Sequence, residues 1–179
     1  MNLIEAKKIL KKYNYLCEHQ YDPNKSIGQN CFYETSEENY NIESIGRAAF
    51  DPEYKDIYIE IEINNSDIDD LTDDEKDIII SKLHEEFNDI LDSWPSLNNQ
   101  DFSVAPSNGL GWYKDEPGLY FNITIKSLAN IEDFSNIAAD EFYDIDIFKN
   151  EYKAIYDEIE DITMALVSVV PFTIAKLIK

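Results

Sequence analysis

Residues 57–63 read Ile-Tyr-Ile-Glu-Ile-Glu-Ile, a strict alternation of isoleucine with polar or aromatic side chains. Successive side chains of a β-strand point to opposite faces of the sheet. This stretch therefore predicts a strand whose isoleucines face the core and whose Glu60 and Glu62 share the other face. Residues 45–50 precede it across the turn-like Asp51-Pro52-Glu53, and the two segments together predict a hairpin.

A second hairpin is predicted from residues 102–105 and 119–125, because apolar and polar side chains alternate in the later segment. Residues 24–41 are polar and irregular, with one short strand expected at residues 31–34.

Three helices are expected around these hairpins. Apolar residues recur every three or four positions from Leu3 to Leu16, which indicates an amphipathic N-terminal helix. Thr72 and Glu75 have the spacing of a capping box, ahead of a helix that ends at Pro95. The sequence therefore predicts a single α+β domain over residues 1–179: an antiparallel sheet of two hairpins packed with an N-terminal, a middle and a long C-terminal helix.

The C-terminal helix is expected to lie across the sheet. Its apolar residues keep a heptad spacing from Phe148 to Val169, but the flanking positions do not offer the opposite charges of a coiled coil. Its uncharged stretch, residues 162–175, contains Pro171 and is shorter than the roughly 20 residues that cross a membrane. An apolar surface all round this stretch predicts burial on two sides, or self-association of the chain into a homodimer.

The charge of the chain restricts its partners. The 179 residues include 37 aspartates and glutamates against 15 lysines and arginines, a formal net charge of −22. Such a chain is a poor ligand for nucleic acid, whose phosphates select basic surfaces. Hydrophobic residues make up 44% of the chain, which is too much for a disordered acidic tail.

No catalytic, metal or cofactor site is predicted. Residues 65–76 start like a calcium loop, but the glycine and the final glutamate of that motif are replaced by Asp70 and Lys76. His84-Glu85 lacks the second histidine of a zinc protease motif. Cys17 and Cys31 follow no signal peptide, so both are expected to be reduced in a cytoplasmic protein of a bacterial host.

The acidic residues are the candidate binding groups. Carboxylates two apart on a strand lie about 6.6 Å apart, and those three or four apart on a helix about 5 to 6 Å, close to the spacing of successive phosphates. The predicted partner-binding acids are Glu60, Glu62, Asp67, Asp69, Asp70, Asp144, Asp146, Asp157, Glu158, Glu160 and Asp161. Trp112 and Tyr113, on a glycine-containing loop, are predicted as aromatic anchors of the same interface.

Residues 2–13, Asn-Leu-Ile-Glu-Ala-Lys-Lys-Ile-Leu-Lys-Lys-Tyr, resemble the start of many small phage-borne and mobile-element proteins of low-GC bacteria, among them acidic anti-CRISPR proteins. This resemblance implies a small inhibitor that occupies the nucleic-acid or PAM-reading groove of a defence nuclease.

The composition and this resemblance together predict a non-enzymatic acidic inhibitor. Its partner would be a basic protein that handles nucleic acid, held by charge complementarity. Two alternative functions remain open: an immunity or antitoxin protein that neutralises a basic toxin enzyme, and a phage structural protein that self-associates through its C-terminal helix. The acidic residues are also compatible with a solvated shell that keeps the protein soluble and binds no partner.

Overall fold

The structure of the protein, a computed structural model, describes residues 31–51, 56–64, 71–94, 102–107, 118–125 and 153–178. Its elements are β1 (Cys31–Asn39), β2 (Ile42–Asp51), β3 (Asp56–Asn64), α1 (Asp73–Ser93), β4 (Phe102–Ser107), β5 (Leu119–Ile125) and α2 (Lys153–Leu177). The five strands form one antiparallel sheet in the order β1-β2-β3-β5-β4. The α+β class is therefore confirmed, and the N-terminal helix expected between Leu3 and Leu16 lies outside the described residues.

The strand pairing agrees with the alternation in the sequence and adds a strand to it. β2 pairs antiparallel with β3, and β4 with β5. The segment that we expected to be largely irregular forms β1, a nine-residue strand paired with β2 along its length. Its polar residues give little apolar alternation, so the pairing with β2, rather than a hydrophobic pattern, identifies this strand.

Both described helices lie against the face of the sheet that carries the isoleucines. Helix α2 crosses β1, β2 and β3, while α1 packs beside it against β4. Phe87 of α1 meets Phe121 of β5 edge to face, with ring centroids 5.0 Å apart. The buried core on this face includes Ile59 and Ile61 of β3. Neither α1 nor α2 has the apolar length that a membrane-spanning helix needs.

Helix α2 approaches β2 closely at Gly46. A Cβ atom at this position would lie 2.4 Å from Val167 Cγ2 and 2.8 Å from Thr163 Cγ2. Any larger residue at Gly46 would therefore force the Val167 and Thr163 side chains, or the helix that carries them, to move.

A hydrogen bond from the sheet satisfies the backbone carbonyl that Pro171 leaves unpaired in α2. Proline has no N–H to donate to the carbonyl four residues earlier, which here belongs to Val167. The Ser44 hydroxyl of β2 donates to that Val167 oxygen over 2.8 Å. Both groups are buried, so Ser44 satisfies an acceptor that the helix itself leaves open.

Candidate functional site

The second face of the sheet contains a buried cluster of charges centred on Arg47, the single arginine of the sequence. Its Nε donates to Glu34 Oε2 over 2.9 Å, and its Nη1 donates to Glu60 Oε1 over 3.0 Å. The same Nη1 lies 2.7 Å from Glu62 Oε2. Strand register explains the meeting, because Arg47 of β2 stands opposite Glu34 of β1 and Glu60 of β3.

The charged groups of this cluster are buried, and their removal from water costs free energy of folding. Arg47 and Glu60 are fully buried, and Glu62 is 2% exposed. Helices α1 and α2 lie on the opposite face of the sheet, so they do not supply this burial. Loss of water raises the pKa of Glu34 to about 7, against the attraction of Arg47 and with further contributions from Glu62 and Glu43. Glu34 therefore holds a proton close to neutral pH.

Two predicted binding residues need correction on this geometry. Glu60 and Glu62 do share one face of β3, as the alternation predicts, but that face is buried and both carboxylates point at Arg47. We expected them to present an acidic row to a partner, because we took the face opposite the isoleucines to be exposed. The described structure places them in the interior, where they bind a cation of the chain itself.

The four predicted acids of α2 have different environments. The Glu158 carboxylate accepts a hydrogen bond from the indole N–H of Trp94, at the end of α1, and Asp157 forms an ion pair with Lys153. Glu160 is half-buried, and Asp161 is exposed. The mid-helix cluster is therefore partly occupied by internal contacts, and it does not form a uniform acidic surface.

The remaining predicted residues lie outside the described part of the chain. They are Asp67, Asp69, Asp70, Asp144, Asp146, Trp112 and Tyr113.

The most acidic exposed surface of the described structure is the outer face of α1. Eight of its 21 residues are acids and two are lysines. Five exposed acids lie along the side turned away from the core. They are Asp74, Asp77, Glu85, Asp89 and Asp92, and we call them the α1 acidic face. Asp74 and Asp92 are 18 positions apart, about 27 Å along the helix axis.

Local helix chemistry explains the acids at the start of α1. The Thr72 side chain accepts from the Glu75 N–H, and the Glu75 carboxylate accepts from the Thr72 N–H over 2.9 Å, which completes the predicted capping box. The Thr72 hydroxyl also donates to the Glu75 carboxylate over 2.7 Å, and this bond, together with that from the Thr72 N–H, lowers the pKa of Glu75. Asp73 and Asp74 also lie in the first turn, where the helix dipole favours negative charge.

The acids at the end of α1 have no such explanation. Asp92 lies in the last turn and Asp89 one turn before it, where the helix dipole opposes negative charge, and the last turn contains no basic residue. Neither carboxylate has a hydrogen-bond or ion-pair partner within the described structure. The sequence analysis did not include these two residues among the predicted binding acids. Two acids just before the helix-ending Pro95 could have indicated them, because the end of a helix disfavours negative charge.

The described residues contain no group of three or more histidine, cysteine or acidic side chains placed to hold a metal ion. Cys31 is a free and buried thiol. Comparison with protein-family models, with curated proteins and with solved structures finds no match to this chain.

Proposed function

We propose that this protein is a non-enzymatic acidic inhibitor that binds a basic, nucleic-acid-handling protein in the cytosol of a bacterial host. The target we favour is a defence nuclease, blocked in the manner of a DNA mimic. The α1 acidic face is the contact surface of this proposal, in place of the glutamates of β3.

One observation carries the proposal: Asp89 and Asp92 are exposed and unpaired among the described residues, at the end of a helix whose dipole disfavours them. Residues that cost local stability and make no internal contact are candidates for an external one. A basic partner would neutralise them and remove the repulsion.

The length of the acidic face suits a duplex-binding groove. One strand of DNA carries a phosphate about every 3.4 Å of helix axis, so about 27 Å corresponds to about eight phosphates. Lys82 is the described lysine closest to the middle of this face, and its ammonium is engaged by Glu85 at 2.8 Å and by Glu86 at 3.6 Å. A basic groove facing α1 would therefore meet a surface of net negative charge.

The experiment is affinity capture with the full chain from nuclease-treated lysate of a low-GC bacterium, at about 0.05 M and about 0.5 M salt. A parallel arm contains competing duplex DNA. We expect capture of a nuclease that salt and DNA both displace, and inhibition of that nuclease by the purified chain.

The critical variant is the double substitution D89N/D92N, which removes two charges without changing side-chain shape. Its matched control is E37Q/E38Q on β1, where Glu38 is exposed and Glu37 half-exposed. We expect the α1 variant to weaken inhibition about tenfold or more and the β1 variant to leave it unchanged. Equal inhibition by both variants would contradict the assignment of the α1 acidic face, and absence of any captured nuclease would contradict the function.

A further inference from the structure

The outward side of α2 carries apolar side chains where a surface helix ordinarily carries polar ones. Met164 is 46% exposed and Phe172 is 42% exposed. Exposed Ser168 lies between them, four residues from each, so the three side chains share one face of the helix. No charged residue occurs between Asp161 and Lys176. We call Met164, Ser168 and Phe172 the α2 stripe.

Tyr40 extends the stripe from the turn between β1 and β2. Its ring meets Phe172 edge to face with centroids 5.6 Å apart, yet Tyr40 remains 59% exposed. Tyr40 and Asn41 have φ angles of 55° and 59°. Two-residue turns of this kind favour glycine or asparagine, because a bulky side chain is strained in the left-handed region. The turn therefore keeps a strained aromatic residue that the described fold does not bury.

We propose that the α2 stripe joins two copies of this chain, with their α2 helices antiparallel about a two-fold axis at Ser168. Asp161 lies seven residues before Ser168 and Lys176 eight residues after it, and both are exposed. Their positions are about 11 Å and about 12 Å from the axis along the helix. An antiparallel pair therefore places Asp161 of each copy beside Lys176 of the other, and Met164 beside Phe172.

This charge arrangement selects a second copy over an unrelated partner. A two-fold interface must be self-complementary, and helix α2 has one acid before the stripe and one base after it, at similar distances from Ser168. The small side chain of Ser168 at the axis lets the two helices approach closely. Only a few side chains of each copy meet in this arrangement, so we expect a reversible dimer whose population depends on concentration.

The inference is independent of the proposed inhibitor function, and salt distinguishes the two. Binding of a basic target through the α1 acidic face weakens as salt increases. Two chains of net charge −22 repel each other, so association through an apolar stripe strengthens when salt screens that repulsion. Loss of one activity therefore leaves the other measurable.

The test is sedimentation velocity of the full chain from about 5 to about 500 µM, at about 0.05 M and about 0.5 M salt. We expect a monomer–dimer equilibrium that shifts toward dimer in the higher salt. Phe172→Asp should weaken dimerisation at least about tenfold. Its matched control is Ile78→Asp, because Ile78 is an exposed apolar residue on α1, 57% against 42% for Phe172. Met164→Asp repeats the test at a second position if Phe172→Asp does not fold, as judged by circular dichroism.

Two further variants separate an interface from a merely structural role. Tyr40→Asn relieves the strained turn, so it should maintain or raise the melting temperature while it weakens the dimer. The single variant D161K should weaken the dimer, and the exchange D161K/K176D should restore it.

A monomer at every concentration, or equal dimerisation of wild type, Phe172→Asp and Met164→Asp, would overturn the proposal. Failure of the charge exchange to restore association would overturn the antiparallel arrangement. A monomeric chain whose α2 stripe binds a different protein would overturn the assignment of the stripe to a second copy.

Discussion

The glutamates of β3 and the aspartates of α1 are chemically alike, and the fold places them in opposite environments. Glu60 and Glu62 are buried against one guanidinium, while Asp89 and Asp92 are exposed to water and have no partner among the described residues. The net charge of −22 therefore combines structural and surface carboxylates. Only the surface group is available for association, so composition alone overstates the acidic surface.

The largest effect that separates the buried glutamates of β3 from the exposed aspartates of α1 is expected when Arg47 is replaced. Replacement of Arg47 by methionine leaves the carboxyl groups of Glu34, Glu60 and Glu62 buried without the cation that they contact. We expect the free energy of unfolding to fall by about 3 to 5 kcal/mol. The measurement is urea denaturation. Lys82→Met is the matched control on α1, because Lys82 pairs with Glu85 at the exposed surface, and its effect should be below about 1 kcal/mol. Similar losses in both variants would show that burial does not separate the two regions.

The pH dependence of stability gives a second test. Because burial raises the pKa of Glu34 from 4.5 to about 7, the folded chain holds a proton between these values that the unfolded chain has released. This contribution to stability is complete below about pH 4.5 and is lost as the pH rises through about 7. It amounts to at most about 3 to 4 kcal/mol.

The measurement is the unfolding free energy of wild type and Glu34→Gln from about pH 3 to about pH 8. We expect the decline with pH to be shallower in the variant. Glu75→Gln on α1 provides the contrast, because the pKa of Glu75 is lowered by its capping hydrogen bonds with Thr72. Its stabilising contribution is present above the ordinary pKa and is lost on acidification, the opposite sign. A wild-type slope that Glu34→Gln leaves unchanged would contradict the assignment.

The smallest effect is expected at the end of α1, and its sign is informative. D89N/D92N removes two charges that the helix dipole disfavours, so the free energy of unfolding should rise by about 0.3 to 1 kcal/mol at low salt. Thermal unfolding at low and high salt checks this, and the gain should shrink as salt increases. A destabilised variant would mean that these aspartates make stabilising contacts inside the protein and would remove the reason to assign them to a partner.

Most of the secondary structure could be predicted from local sequence because its causes are local. The capping box at Thr72 and Glu75 begins α1 where expected, and the isoleucine alternation gives β3 and its pairing with β2. Strand β1 was largely missed because its polar residues carry no clear period, and hydrogen bonding to β2 determines it. The α1 acidic face could have been found from helical spacing and the dipole rule, whereas the Arg47 cluster could not.

The sequence by itself determined most of the described elements and which side chains of a strand share a face, because backbone geometry fixes both over a few residues. The alternation placed Glu60 and Glu62 on one face of β3 but left open whether that face is exposed to solvent or buried. Only the tertiary structure decided this, by joining β1, β2 and β3 so that Arg47 meets carboxylates 13 residues away in both directions. Burial depends on which distant segments come together, and no local pattern of alternation carries that information.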